Sequence, residues 1–293
     1  MVKWQRRRGS DNVEDRRGAA AAGGAGIILL LLRFVVGRFG IRGIFFLLLI
    51  GGGLYMVGVN PVALMQGQPA TTQSAEPIND EDSQFVRAVL AETEDVWGQI
   101  FSASGQRYPV PTLVMFSGSV NSACGYASAA SGPFYCPGDQ KVYLDTSFFK
   151  QLSEQFGAPG DFAGAYVIAH EVGHHVQTVT GISKQVRAAQ QAARTEQESN
   201  QLQVRMELQA DCYAGVWANH AESQRDFLDE GDIEEGLRAA SAIGDDTLQK
   251  NAGRRVTPES FTHGSSQQRR DWFTRGFRTA SVDECDTFSA RSL

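Results

Sequence analysis

Residues 170–174 read His170-Glu171-Val172-Gly173-His174, and this pentapeptide restricts the chain more than any other stretch. On a helix, positions i and i+4 share a face, so the two imidazoles converge on one point with Glu171 beside them. The flanking residues AYVIA and HVQTV are apolar enough to be buried, Asp161 can cap the start, and Gly181 is a natural stop. The fold must therefore hold this helix in a core and leave a cleft open over its histidine face.

Two imidazoles with a nearby carboxylate suit Zn2+, one per chain, bound tetrahedrally with an open position for water. Such a metal lowers the pKa of its water toward ~7 and polarises a carbonyl, and Glu171 is placed to act as general base. A third ligand is needed. The segment Glu207-Leu208-Gln209-Ala210-Asp211 puts two carboxylates on one helix face among the apolar residues Cys212, Tyr213, Val216 and Trp217. Glu207 can ligate, and Asp211 can accept from the far nitrogen of a ligand histidine, His170 being favoured. The longer pattern HExxHxxGxxH is excluded, because Gln177 and Thr180 stand at its glycine and third histidine. His175 and His220 read as structural. His263, in a loop before a helix carrying Arg269, is a candidate for stabilising an oxyanion, with Arg269 the weaker alternative. Tyr126, Tyr135 and Tyr143 are possible donors that more simply pack.

Around this centre, 81–101 has the spacing of an amphipathic helix and 112–116 (TLVMF) reads as a buried strand. A loop SGSVNSACGYASAASG follows, and 133–136 and 141–144 flank Pro137-Gly138-Asp139 as a hairpin. Residues 185–203 suit an exposed helix or surface excursion. Further helices are predicted over 207–220, from Asp232 to about 242, and after a Ser265 or Ser266 cap. The expected class is α/β (α+β), with a small, mostly antiparallel sheet packed on the 170–174 helix and a mainly helical C-terminal part.

Residues 1–59 carry nine Lys/Arg against three Asp/Glu, whereas the remainder is acidic, within an overall charge of −6. An acidic bulk argues against nucleic acid as partner. The run 43–59 (GIFFLLLIGGGLYMVGV) is uncharged and long enough to span a bilayer, and a shorter apolar run covers 18–32. The arginines before the main run predict a cytoplasmic N-terminus. The organisation expected is a basic cytoplasmic lead over 1–42, one transmembrane helix over 43–59, a linker over 60–80, and a metal-binding domain over 81–293 outside the cytoplasm. Cys124, Cys136, Cys212 and Cys285 all follow the span. An oxidising compartment favours disulfides, with Cys124–Cys136 and Cys212–Cys285 preferred among three pairings and four buried thiols as the alternative. No feature fixes an oligomeric state.

At this point the chain resembles the putative neutral zinc metallopeptidases of bacteria over nearly its whole length. The likeness is carried by Ser10-Asp11-Asn12-Val13-Glu14-Asp15-Arg16-Arg17-Gly18, Phe134-Tyr135-Cys136-Pro137, the helix from His170 to His175, Glu207 to Asp211, and Ser260-Phe261-Thr262-His263-Gly264 with Gln268-Arg269. The wider likeness is to Glu-ligated zincins. It implies Glu207 as third ligand, a strand of the Tyr135 to Tyr143 hairpin lining the cleft, a polypeptide substrate, and anchorage in the bacterial inner membrane. Two function classes stay open: a zinc peptidase, or a similar amide hydrolase, and a zinc-stabilised non-catalytic binding module of the envelope. A fourth protein ligand would favour the second.

Overall fold

The computed structural model describes residues 1–18, 80–290 and 293. Val13–Asp15 forms β1, and the helix Glu81–Ala103 (α1), capped by Asp80, follows. Next come β2 (Thr112–Phe116), β3 (Ser119–Ser122), β4 (Gly125–Ser128), β5 (Phe134–Cys136) and β6 (Lys141–Asp145). The rest is helical: α2 (Ser147–Glu154), α3 (Asp161–Val179), α4 (Ile182–Ala192), α5 (Glu196–Arg225), α6 (Asp232–Ala242), α7 (Asp245–Asn251) and α8 (Ser266–Thr279). The predicted α1, β2, β5–β6 hairpin, α3, α6 and α8 are all present. Ser265 caps α8 in a reciprocal capping box with Gln268.

The sheet departs from expectation. Its order is β1-β2-β6-β5, with β1 and β6 both parallel to β2 and only β5 antiparallel to β6. It is thus mixed rather than mostly antiparallel. The reason is connectivity: α1 carries the chain from β1 to β2, the stretch read as a loop after β2 is a hairpin, β3 with β4, and the chain then re-enters the sheet reversed at β5, so that the turn after β5 returns β6 to the direction of β2. Side chains alternate along β2. Leu113 and Met115 join the main core, whereas Val114 and Phe116 join a smaller cluster with Val120, Cys136 and Tyr143.

The second departure concerns the N-terminus. Met1–Arg17 forms one compact unit with Asn79–Leu293, so these residues belong to the domain and are not a separate basic lead. Val2, Trp4 and Val13 are buried in the main core. The charges expected to mark a cytoplasmic flank pair with acids of the fold: Arg7 with Glu92, Arg8 with Glu94 and Asp95, Arg16 with Glu14, and Arg17 with Asp15 and Asp80. Among the described residues no helix is long and apolar enough to cross a membrane. The predicted span 43–59 lies outside the described residues, as do all but Gly18 of the run 18–32 and all but Asp80 of the linker 60–80.

The helical half is tightly drawn together. A Cβ on Gly276 of α8 would meet the Cys212 carbonyl oxygen at 2.0 Å, and one on Gly215 of α5 would meet the Phe273 carbonyl oxygen at 2.1 Å. The two backbones touch where only glycine fits. Both preferred disulfides are present, and Cys212–Cys285 fixes α5 to the segment following α8.

Candidate metal centre

α3 crosses α5 at Gly173, whose added Cβ would lie 3.1 Å from the backbone of Ala210. The glycine inside the HEVGH pentapeptide lets the two helices approach closely enough for their side chains to share one centre. His170 Nε2 lies 3.2 Å from Glu207 Oε2, and His174 Nε2 lies 3.4 Å from the same oxygen. One ligand atom from each residue falls within 4.8 Å of the others. Ligands at 2.0–2.1 Å on a tetrahedral zinc stand about 3.3 Å apart, so the separations of both imidazoles from Glu207 match those of a zinc site.

Each of the three candidate ligands is held from behind. Asp211, fully buried, accepts from His170 Nδ1 at 2.8 Å, which leaves Nε2 for the metal. Asp211 also accepts from Tyr166 and twice from Arg269, at 2.9 and 3.0 Å. Burial alone would raise the Asp211 carboxyl, but Arg269 and then His170 outweigh it and bring it down to about 2. Arg269 further donates to Tyr166 and to the Ile243 carbonyl, so its guanidinium is committed to holding Asp211. The reading of Arg269 as an oxyanion donor is corrected accordingly. Gln203 donates to Glu207 Oε1 at 2.7 Å, one helical turn before it.

His174 is fixed by Gln177, whose Oε1 accepts from Nδ1 at 2.8 Å. Gln177 Nε2 donates to the Met206 carbonyl and to Gln209, and Gln209 donates to the Cys285 carbonyl. Sequence reasoning met Gln177 only as a mismatch to a longer motif. Its i+3 spacing from His174 was the available signal.

His170 and His174 flank a carboxylate, and this shows in their proton affinity. Burial disfavours the imidazolium of His170, but Asp211 and then Glu207 prevail and raise it to about 9. Zinc must displace that proton, so its affinity should fall about tenfold per unit as pH drops from 9 to 7. A chelator-competition titration at several pH values checks this, and a flat profile would contradict it. Asp211→Asn should weaken zinc binding by about 10–100-fold, read in the same titration beside a melting curve that reports on the fold.

Glu171 follows His170 and is buried, and it lines the same cleft. That cleft has a volume of about 810 Å³ and runs past Tyr135 of β5, Glu171, His174, Met206 and His263. His263 sits in the loop before α8 and contacts Asp245 Oδ1 through Nδ1 at 3.3 Å. Asp245 Oδ2 also accepts from the backbone N–H groups of Thr262, His263 and Gly264. The hydrogen bond to Asp245 is the main reason that the imidazole of His263 is raised, against burial. His263 Nε2 has no protein partner among the described residues.

His175 is the structural residue expected. Its ring donates from Nε2 to the Pro109 carbonyl and accepts at Nδ1 from Tyr135, while burial lowers its pKa. His220 likewise bridges the Ala280 carbonyl and Gln224. Tyr143 donates to Asp139, and Tyr126 is exposed on the β3–β4 hairpin.

A family model described as Putative neutral zinc metallopeptidase matches residues 2–288. The chain is 49% identical to the uncharacterized protein YpfJ of Escherichia coli (strain K12) over 291 residues, 98% of this chain and 99% of that protein. It is 40% identical to the uncharacterized protein Rv2575 of Mycobacterium tuberculosis (strain ATCC 25618 / H37Rv) over 257 residues, covering 81% of this chain and 86% of the relative. No solved structure matches.

Proposed function

The chain belongs to the Putative neutral zinc metallopeptidase family, and on that footing we propose that it is a membrane-anchored zinc peptidase cleaving polypeptides within an open cleft. The observation that carries the reading is the convergence of His170, His174 and Glu207 at zinc-ligand separations, with Glu171 next in sequence and a cleft above. When bound, zinc supplies a Lewis acid and a water of lowered pKa.

The chain's own groups do the rest. The Glu171 carboxylate takes the proton of the attacking water and returns it to the departing amine nitrogen. Asp211 holds His170 in the tautomer that presents Nε2, and Gln177 does the same for His174. His263, oriented by Asp245, offers Nε2 to the oxygen that becomes negative as the carbonyl is attacked. The cleft wall at β5 provides an edge along which an extended peptide can lie.

His263→Ala should slow turnover by about 10²–10³-fold with zinc content unchanged. Asp245→Asn should lower the imidazole's pKa and so move the alkaline limb of the pH–rate profile toward acid. An unmoved limb would remove His263 from the charged role.

The second reading, a zinc-stabilised binding module, needs a fourth protein ligand. Of its two candidates, His175 is engaged at both ring nitrogens, by Pro109 and Tyr135, and the donors that cluster among the described residues are His170, His174 and Glu207, without His263. The deciding experiment measures zinc per chain in the detergent-purified full protein and its hydrolysis of an unfolded protein. One zinc, with activity lost to chelator and restored by zinc, supports the peptidase. Tight zinc without cleavage of a broad peptide library supports the module.

A further inference from the structure

We infer that residues 1–17 and the metal-centre domain occupy the same side of the membrane, outside the cytoplasm, so that any crossing by residues 18–78 is even in number. This goes beyond the zinc chemistry and does not depend on it.

The N-terminal residues are built into the fold at every level. β1 pairs with β2 in register, Val13 with Leu113, Glu14 with Val114 and Asp15 with Met115. The ladder continues at both ends, the Leu113 N–H donating to the Asn12 carbonyl at 2.9 Å and the Arg16 N–H to the Met115 carbonyl at 2.8 Å. Trp4 is 7% exposed and meets Phe85 of α1 edge to face at 6.0 Å. Glu94, buried on α1, takes hydrogen bonds from Ser10, Asn12 and Arg8. Arg7 reaches across to the carbonyls of Arg225 and Asp226 at the end of α5. A bilayer's hydrocarbon core is ~30 Å thick, and a strand hydrogen-bonded within a sheet cannot stand on its other side.

Two observations choose the side. Cys124–Cys136 and Cys212–Cys285 are both closed, which suits an oxidising compartment. The sequence supplies the second. Residues 18–32 and 43–59 carry no charge, and the stretch between them bears Arg33, Arg38 and Arg42 without any acid. By the positive-inside tendency this intervening stretch is the cytoplasmic one, so the shorter run 18–32 crosses as well as 43–59, in place of the single span expected, and both flanks lie outside. The cations of residues 1–17 that suggested the opposite have a folded-state role, since Arg7, Arg8, Arg16 and Arg17 are all ion-paired.

The test uses the full chain in the membrane of intact bacterial cells. Its native cysteines are all in disulfides, so single cysteines can be added at the exposed positions Asp11 and Ser104 and at Arg38, then challenged with a membrane-impermeant maleimide before and after lysis. Asp11→Cys and Ser104→Cys should label before lysis to the same extent, and Arg38→Cys only after it. Labelling of Ser104→Cys but not Asp11→Cys before lysis would overturn the shared side, and labelling of neither would overturn the exported one. In the same membranes a zero-length carbodiimide should join Lys141 to Glu14, whose Nζ and Oε1 lie 2.5 Å apart. Failure to find that cross-link by mass spectrometry would show the N-terminal strand undocked and would also overturn the inference.

Discussion

Glu171→Gln should keep one zinc per chain and lose about 10²–10⁴-fold in kcat/KM on an unfolded protein substrate. Glutamine keeps the shape of the side chain in its buried position beside the cleft, so packing and the three ligands are left alone. What it loses is the capacity to accept a proton. An interaction used only as the water is activated should lower kcat while leaving KM nearly unchanged. Zinc content and steady-state kinetics on the same preparation separate the cases. Activity kept at the parental level would place the base elsewhere, and loss of zinc would make Glu171 part of the metal's support.

Removing residues 1–17 should destabilise the domain by about 3–5 kcal/mol net, a fall in Tm of roughly 6–20 °C. Burial of side chains such as Val2, Trp4 and Val13 contributes about 1.5–3 kcal/mol each, and the freed chain's entropy returns only part of that. Against a typical margin of 5–15 kcal/mol the loss is large. A complementary variant keeps 1–17 and replaces 18–78 by a short Gly/Ser linker. Arg17 Nη1 lies 2.7 Å from Asp80 Oδ2, so the two ends are already adjacent, and this variant should melt near the parental temperature. Equal melting of the chain lacking 1–17 would show that β1 is dispensable.

These expectations also mark where the sequence was readable. The centre was legible because its determinants are local: His170 and His174 share a helix face by spacing alone, and Glu207 and Asp211 share another. The start of α8 followed from its Ser265 cap, whereas Asp161 and Asp232, read as caps, lie in the first turns of α3 and α6 behind Gly160 and Gly231. β1 was not legible. Val-Glu-Asp is too short to show a period, and the arginines before it look the same whether they mark a membrane flank or pair across the fold, as Arg7 does with Glu92 and Arg8 with Glu94. The parallel pairing of β2 with β6 was hidden for a related reason, since strand direction depends on what the connection does, and that connection read as a Gly/Ser loop. Arg269 was found in the right neighbourhood and given the wrong task, because sequence shows proximity to a site without showing which way a guanidinium points.

β1 has a further consequence, in time. The first strand made must wait for its partner: Val13–Asp15 cannot pair until Thr112–Phe116 has been synthesised. At ~5–20 residues per second that delay is on the order of 5–20 s. Through that interval Val13–Asp15 has no strand to pair with and is open to association with other chains. Val13–Asp15 thus finds its place only once a much later stretch of the chain has been made.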